Sequence, residues 1–126
     1  MGMQKPERTL EHAVSGDVHI LRLLTPKLDD EATLLVLEDE LGDIIEQCQN
    51  VPPKVVLNFS SVQYIFTAAL AKLVSYRRML VDRGGKISLC CLQDTVREVV
   101  CLMRFDELFP ISETEDDALA QLQQVC

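Results

Sequence analysis

The chain has 126 residues, 48% of them hydrophobic and 25% charged, the proportions of a folded globular domain rather than a disordered or collagen-like chain. That length suits one domain with one core that needs no staples. Twelve basic against twenty acidic residues give a formal net charge of −8. Such a field repels nucleic-acid phosphates and anionic lipid, so neither nucleic acid nor a membrane is an expected partner.

Residues 1–15 read as a flexible polar leader. Met1 to Val14 carries Lys5, Glu7, Arg8, Glu11 and His12 among few large apolar residues, which is not the apolar core of a signal peptide. No other stretch reaches the ~20 apolar residues needed to cross a bilayer, so a cytoplasmic protein is expected. Residues 16–126 form the expected single domain. Val18 to Leu24 alternates as a half-buried strand ended by Thr25-Pro26, which places His19 outward. From Asp29 to Gln49, Leu34, Leu37, Leu41, Ile44, Ile45 and Cys48 recur at helical spacing, with Glu38, Asp39, Glu40 and Asp43 between them. Pro52 and Pro53 stop that helix.

Lys54 to Phe59 is a near-continuous apolar run, expected as a central strand covered on both faces. Between Thr67 and Asp82, Leu70, Leu73, Val74, Arg77 and Leu80 predict a second helix, stopped by Gly84-Gly85. Lys86 to Leu92 predicts the next strand. The span from Ser60 to Gly85 is too long for a hairpin and suits a helical crossover between parallel strands. A third helix is expected over about Asp94 to Met103, a short edge strand over Leu108 to Ile111, and a last helix capped by Thr114 and carrying Ala118, Leu119, Leu122 and Val125. The acids from Glu115 to Asp117 then belong to its first turn. Alternating strands and helices make an α/β sandwich, with a flavodoxin-like sheet as near neighbour.

Five cysteines, Cys48, Cys90, Cys91, Cys101 and Cys126, include no C-x-x-C pair and no histidine at finger spacing. They read as free thiols, with no metal site and no disulfide framework. Cys90 and Cys91, adjacent in a strand, are expected on opposite faces. Neither G-x-G-x-x-G nor G-x-x-x-x-G-K-[ST] nor G-x-S-x-G occurs, so no cofactor and no catalytic residue is predicted.

The segment from Asn58 to Leu73 carries the most information. Tyr64, Ile65 and Phe66 are oddly apolar for a loop, and they stand just before Thr67, a predicted helix N-cap. Ala68, Ala69 and Ala71 leave the first helical turn almost free of bulk, which lets either the sheet or a partner approach closely. A hydroxyl at a helix start also accommodates phosphate, because N–H groups and the positive dipole end point there. Core and interface roles both remain open for Tyr64 and Phe66.

In these residues the chain resembles the STAS domain family, named for sulfate transporters and anti-sigma-factor antagonists. The resemblance runs from about residue 16 to 125. It rests on Val55-Val56-Leu57-Asn58-Phe59-Ser60, Thr67-Ala68-Ala69-Leu70 and Gly84-Gly85-Lys86-Ile87-Ser88-Leu89-Cys90, followed by Val96 to Phe105, Leu108-Phe109-Pro110-Ile111 and the acidic Glu113 to Asp117. It implies a sandwich with a four- to five-stranded mixed sheet and about four helices, mostly packed on one face. It also implies a non-enzymatic bacterial regulator whose partner is an anti-sigma factor or a serine/threonine kinase-like protein.

The family's usual helix start is D-S-x-G-L or D-S-S-G-L, with a phosphorylated serine or threonine. Aligned on Leu70, this chain has Phe66 at the aspartate, Thr67 at the first serine, Ala68 at the serine most often modified and Ala69 at the glycine. Thr67 is the one hydroxyl left in that turn and the candidate phosphorylation site; Ser60 and Ser61 are weaker candidates. The expected docking surface comprises Tyr64, Phe66, Thr67, Ala68, Ala69, Lys72, Ser75 and Tyr76, joined by Arg97. Two other readings remain: a small-ligand binder of flavodoxin-like architecture using the loops at the strand ends, and a self-associating scaffold subunit that pairs as a homodimer.

Overall fold

The computed structural model describes residues 10–28 and 31–123. The elements in chain order are β1 (Leu10–Ser15), β2 (Val18–Leu23), β3 (Lys27–Leu28), α1 (Glu31–Gln47), β4 (Lys54–Asn58), β5 (Tyr64–Ile65), α2 (Thr67–Val81), β6 (Lys86–Cys90), α3 (Asp94–Leu102), β7 (Ile111–Ser112) and α4 (Glu115–Gln123). A single turn of 3-10 helix, Phe105–Glu107, lies between α3 and β7. Five strands form one mixed sheet in the order β1-β2-β4-β6-β7. β1 and β2 are antiparallel; β2, β4, β6 and β7 run parallel. β3 and β5 form a separate parallel pair.

Successive side chains of a strand point to opposite faces, so the unbroken apolar run of β4 feeds two cores. Val55 and Leu57 enter the larger core with Leu21 and Leu23 of β2, Leu37, Leu41 and Ile44 of α1, Leu70 and Leu73 of α2, and Val96 and Val100 of α3. Val56 faces the other way and meets Val18, Ile20 and Cys90, with Ala118 and Leu122 of α4 above them. Three helices therefore cover one face and α4 the other. β4 sits at the centre of the sheet, as its composition predicts, and its parallel pairing with β6 makes α2 a crossover helix.

Several expectations are corrected. Leu10 to Ser15, read as part of the leader, pairs with β2 as an edge strand; residues 1–9, Asp29, Val125 and Cys126 lie outside the described residues. His19 is buried rather than outward, because it lies on the same face of β2 as Leu21 and Leu23, under α1. Cys91 does not continue the strand: it takes a left-handed φ of 62°. Its Sγ turns to within 3.6 Å of Cys90 Sγ, against the smaller core. The predicted edge strand starts later, at Ile111, because Phe105 to Glu107 coils into the 3-10 turn that brings Phe109 into the core. Thr114 does cap α4, its Oγ1 accepting from the Asp117 N–H at 3.1 Å.

Candidate partner-docking site

The site is built where parallel strands end. Asn58 closes β4, and it is paired across the sheet with Arg22 of β2. The Asn58 side chain works in both directions: Oδ1 accepts from the Ser60 N–H at 2.8 Å and Nδ2 donates to Glu115 Oε2 at 2.5 Å. Arg22 donates to both oxygens of the same carboxylate and to Glu11. The Arg22 guanidinium, with Asn58 assisting, holds the Glu115 carboxyl below the usual range despite partial burial, and Glu115 in return raises the arginine. The acidic start of α4 is thus a strut under the strand ends as well as a first-turn acid.

Beyond Asn58 the chain runs through a loop that is apolar for two separate reasons. Val62 and Ile65 are buried and tie the loop to the larger core. Tyr64 and Phe66 point out, 54% and 50% exposed. The backbone between them is held from two sides. The Gln63 and Tyr64 N–H groups donate to the Pro26 carbonyl and the Phe66 N–H to that of Leu28. From α3 and its cap, Gln93 donates to the Ser60 carbonyl and Thr95 to that of Gln63. Two aromatic rings are therefore displayed in water on a backbone that is pinned in place, a costly arrangement for a surface with no partner.

α2 starts immediately after. Phe66 in extended conformation (φ −99°, ψ 154°) is the N-cap, no side chain caps the turn, and the turn holds no acid. This corrects the expectation that Thr67 is the cap: Thr67 is the first helical residue, and its hydroxyl is exposed instead of folded back on the backbone. The dipole end is left to water or to a bound acceptor. Thr67, Ala68, Ala71, Lys72 and Ser75 lie on the exposed side of the helix, and the Ser75 hydroxyl reaches back toward the Ala71 carbonyl at 3.5 Å.

Two residues assigned to the docking surface belong to the core. Ala69 and Tyr76 are each 1% exposed. The missing bulk at Ala69 lets the helix start sit close on the core. Tyr76 lies one turn on from Leu73 and one before Leu80, and its hydroxyl donates to the Leu34 carbonyl of α1 at 3.0 Å. Burial, with the nearby Glu38 charge, pushes the phenol up to about 12. Arg97 is partly exposed and ion-paired with Glu113 at 2.8 Å. The structure thus brings Tyr64, Phe66, Thr67 and Ala68 together, with Lys72 and Ser75 farther along α2. The supporting residues, Asn58, Gln93, Thr95 and Glu115, carry no sequence signal beyond being polar next to a strand or helix end.

The STAS domain model matches residues 14–118. Among solved structures, the chain is similar to an anti-sigma factor antagonist from Mycobacterium paratuberculosis, with 22% identity over 92% of this chain and 94% of that one and a TM-score of 0.77. An anti-sigma-factor antagonist (STAS) domain protein from Planctomyces limnophilus matches at 20% identity over 90% and 96%, TM-score 0.71. The Bacillus cell fate determinant SpoIIAA in its phosphorylated form matches at 16% identity over 90% and 99%, TM-score 0.69. At these identities the likeness is one of fold, and it covers nearly the whole of each structure. With the family model running from the end of β1 through the site at α2 to the first turn of α4, the chain belongs to the STAS domain family.

Proposed function

We propose that this STAS domain is a non-catalytic regulatory module of the anti-sigma factor antagonist type, which docks an anti-sigma factor or a serine/threonine kinase-like partner on the β5–α2 corner. The observation that carries the reading is the exposed Tyr64 and Phe66 pair beside a helix start that no side chain caps. The aromatics supply apolar contact area and the uncapped turn supplies N–H donors for a carboxylate or phosphate. The reading is supported by neighbours of the same fold that are anti-sigma factor antagonists, one of them in a phosphorylated form. It places the protein in the cytoplasm. No described helix is long and apolar enough to cross a membrane.

Thr67 is the regulatory acceptor in this reading. With Ala68 at the position usually modified, the exposed Thr67 hydroxyl is the one in the first turn that a kinase can reach. A phosphate there would sit favourably at the positive helix end and put two charges between the aromatic rings and their partner. Docking is therefore on when Thr67 is free and off when it is phosphorylated. The test is affinity purification of the tagged chain from its native host, beside Thr67→Glu and a Tyr64→Ala/Phe66→Ala double variant, with phosphosite mapping. An anti-sigma factor or kinase-like protein retained by the wild type and lost from both variants is expected. Equal retention by all three would sink the reading.

A further inference from the structure

At the opposite end of β4 from the docking corner, four side chains from three elements form a line. Cys48, just after α1, has Sγ 3.8 Å from His19 Nε2 on β2. His19 Nδ1 is 2.9 Å from His12 Nε2 on β1. His12 Nδ1 is 3.1 Å from Glu40 Oε2 on α1. Every nitrogen of both rings is used, and the carboxylate at the end fixes the direction of the chain. Glu40 can only accept, so His12 Nδ1 bears hydrogen. The neutral His12 then presents its Nε2 lone pair, His19 donates from Nδ1, and His19 Nε2 is left as a lone pair facing the Cys48 thiol.

From this geometry we propose that Cys48 is a reactive thiol, a site of oxidation by small hydroperoxides, whose proton is relayed through His19 to His12. The Cys48 S–H bond breaks as His19 Nε2–H forms, and His19 Nδ1–H breaks as His12 Nε2–H forms. The product is a thiolate accepting a hydrogen bond from neutral His19, with the positive charge on His12 beside the Glu40 carboxylate. No charge rests on His19, which suits its environment: burial first, and then the nearby His12, disfavour its protonated form. The negative end of α1 opposes the thiolate, and the imidazolium charge is balanced by the Glu40 carboxylate at 3.1 Å. The Asp17–Lys54 pair at the start of β2 and β4 is internally neutralised.

Access comes from a cavity of about 260 Å³ lined by Cys48, Val51, Pro52 and Arg83 among others. Arg83 brings a positive charge to the wall from the far end of α2. In the cavity the thiolate attacks one peroxide oxygen; the S–O bond forms and the O–O bond breaks. The departing hydroxide takes the proton back from His12 by way of His19, giving water. Cysteine is oxidised to the sulfenic acid and hydrogen peroxide is reduced. A metal ion is a poorer occupant, because the groups lie along a line with both His19 nitrogens engaged, and no cluster among the described residues is disposed to hold one.

The test is to treat the reduced full chain with substoichiometric hydrogen peroxide at neutral pH, trap sulfenic acid with dimedone and compare sites by peptide mass spectrometry. Exposed Cys101 is the internal reference. An ordinary thiol is only a few per cent thiolate at pH 7, so labelling of Cys48 about tenfold faster than Cys101 is expected. His12→Gln, on the edge strand, and Glu40→Gln, on a partly exposed helix face, break the relay without opening the core and should bring the two rates within about threefold. Equal rates in the wild type would overturn the proposal, and so would a Cys48 preference that survives both variants. Neither result bears on docking at Thr67.

Discussion

Arg22 grips Glu115 with two parallel hydrogen bonds of 2.7 and 2.9 Å, joining β2 to the first turn of α4 across 93 residues of sequence. The pair is half-sheltered and shares Asn58 as a third member. A charge-assisted fork in such a setting is worth more than a surface ion pair.

The acid limb of stability should follow from this pair. Glu115 has a folded pKa depressed below 4.5, first by the Arg22 hydrogen bonds. Its contribution is present above the unfolded value and lost as pH falls through the folded one. Glu115→Gln is expected to lower stability at pH 7 by about 1.5–3 kcal/mol and to flatten the decline below about pH 4.5. Urea titrations of both proteins from pH 7 to 3 check this, and parallel curves would rule the pair out as the source.

His19 acts in the same direction at higher pH. Its folded pKa is depressed from 6.5 by burial, so stability is full above that value and falls as pH drops toward the folded pKa. Thermal melts between pH 7.5 and 5 should show a falling Tm in the wild type and a flatter profile in His19→Gln. An equally steep fall in the variant would assign the loss to other groups.

At the docking corner, binding and stability should separate. Thr67→Glu adds a charge at an uncapped helix start, which favours the helix by about 0.3–1 kcal/mol, while weakening the partner by about tenfold or more. Titration calorimetry with the purified partner and a melt of each protein give both readings. A Tm fall matching the affinity loss would mean the substitution had damaged the fold.

Tyr64→Ala and Phe66→Ala should each change stability by less than about 0.5 kcal/mol, as exposed truncations do, yet cost partner affinity. Tyr76→Phe is the converse: it removes the hydrogen bond to Leu34 and costs about 1 kcal/mol without touching partner affinity. Denaturant curves beside the same calorimetry discriminate, and an affinity loss in Tyr76→Phe would return that residue to the surface.

Gly85 and Gly84 should respond differently to alanine. A Cβ on Gly85 meets the Pro53 carbonyl oxygen, with Pro53 Cγ at 2.7 Å and the Leu80 carbonyl oxygen at 2.9 Å. Gly84 has open space but a φ of +76°. Gly85→Ala is expected to cost about 3 kcal/mol, at the upper end of overpacking, and Gly84→Ala about 1–2 kcal/mol. Equal urea midpoints would contradict the close approach of Pro53 to the end of α2.

The long elements were legible because each carries several turns or alternations of pattern. β4 announced its central place by being apolar on both faces, and α1 by its three-and-four spacing. β3 and β5 have two residues each, too few for any period. β1 carries no clean alternation: its apolar residues Leu10, Ala13 and Val14 do not share one face of the strand. At the site, the apolar loop and helix start were readable, but which aromatics face water was not, since Val62 and Ile65 are as apolar as their exposed neighbours. Tyr76 lies on the Leu73–Leu80 stripe, and that spacing is the signal that places it in the core. The struts from Gln93, Thr95 and Glu115 depend on distant segments meeting, which no local pattern records.

The unequal covering of the sheet sets an order of release. α4 is the only described helix over Val56 and Cys90, and its hold rests on Ala118, Leu122 and the Glu115 contacts. Detaching it leaves the larger core intact, so its amides should exchange with deuterium through a partial opening while those of β4 wait for global unfolding. The same excursion would bare the apolar back of the sheet, making α4 the place where a protease first gains a foothold and where unfolded-like chains begin to associate.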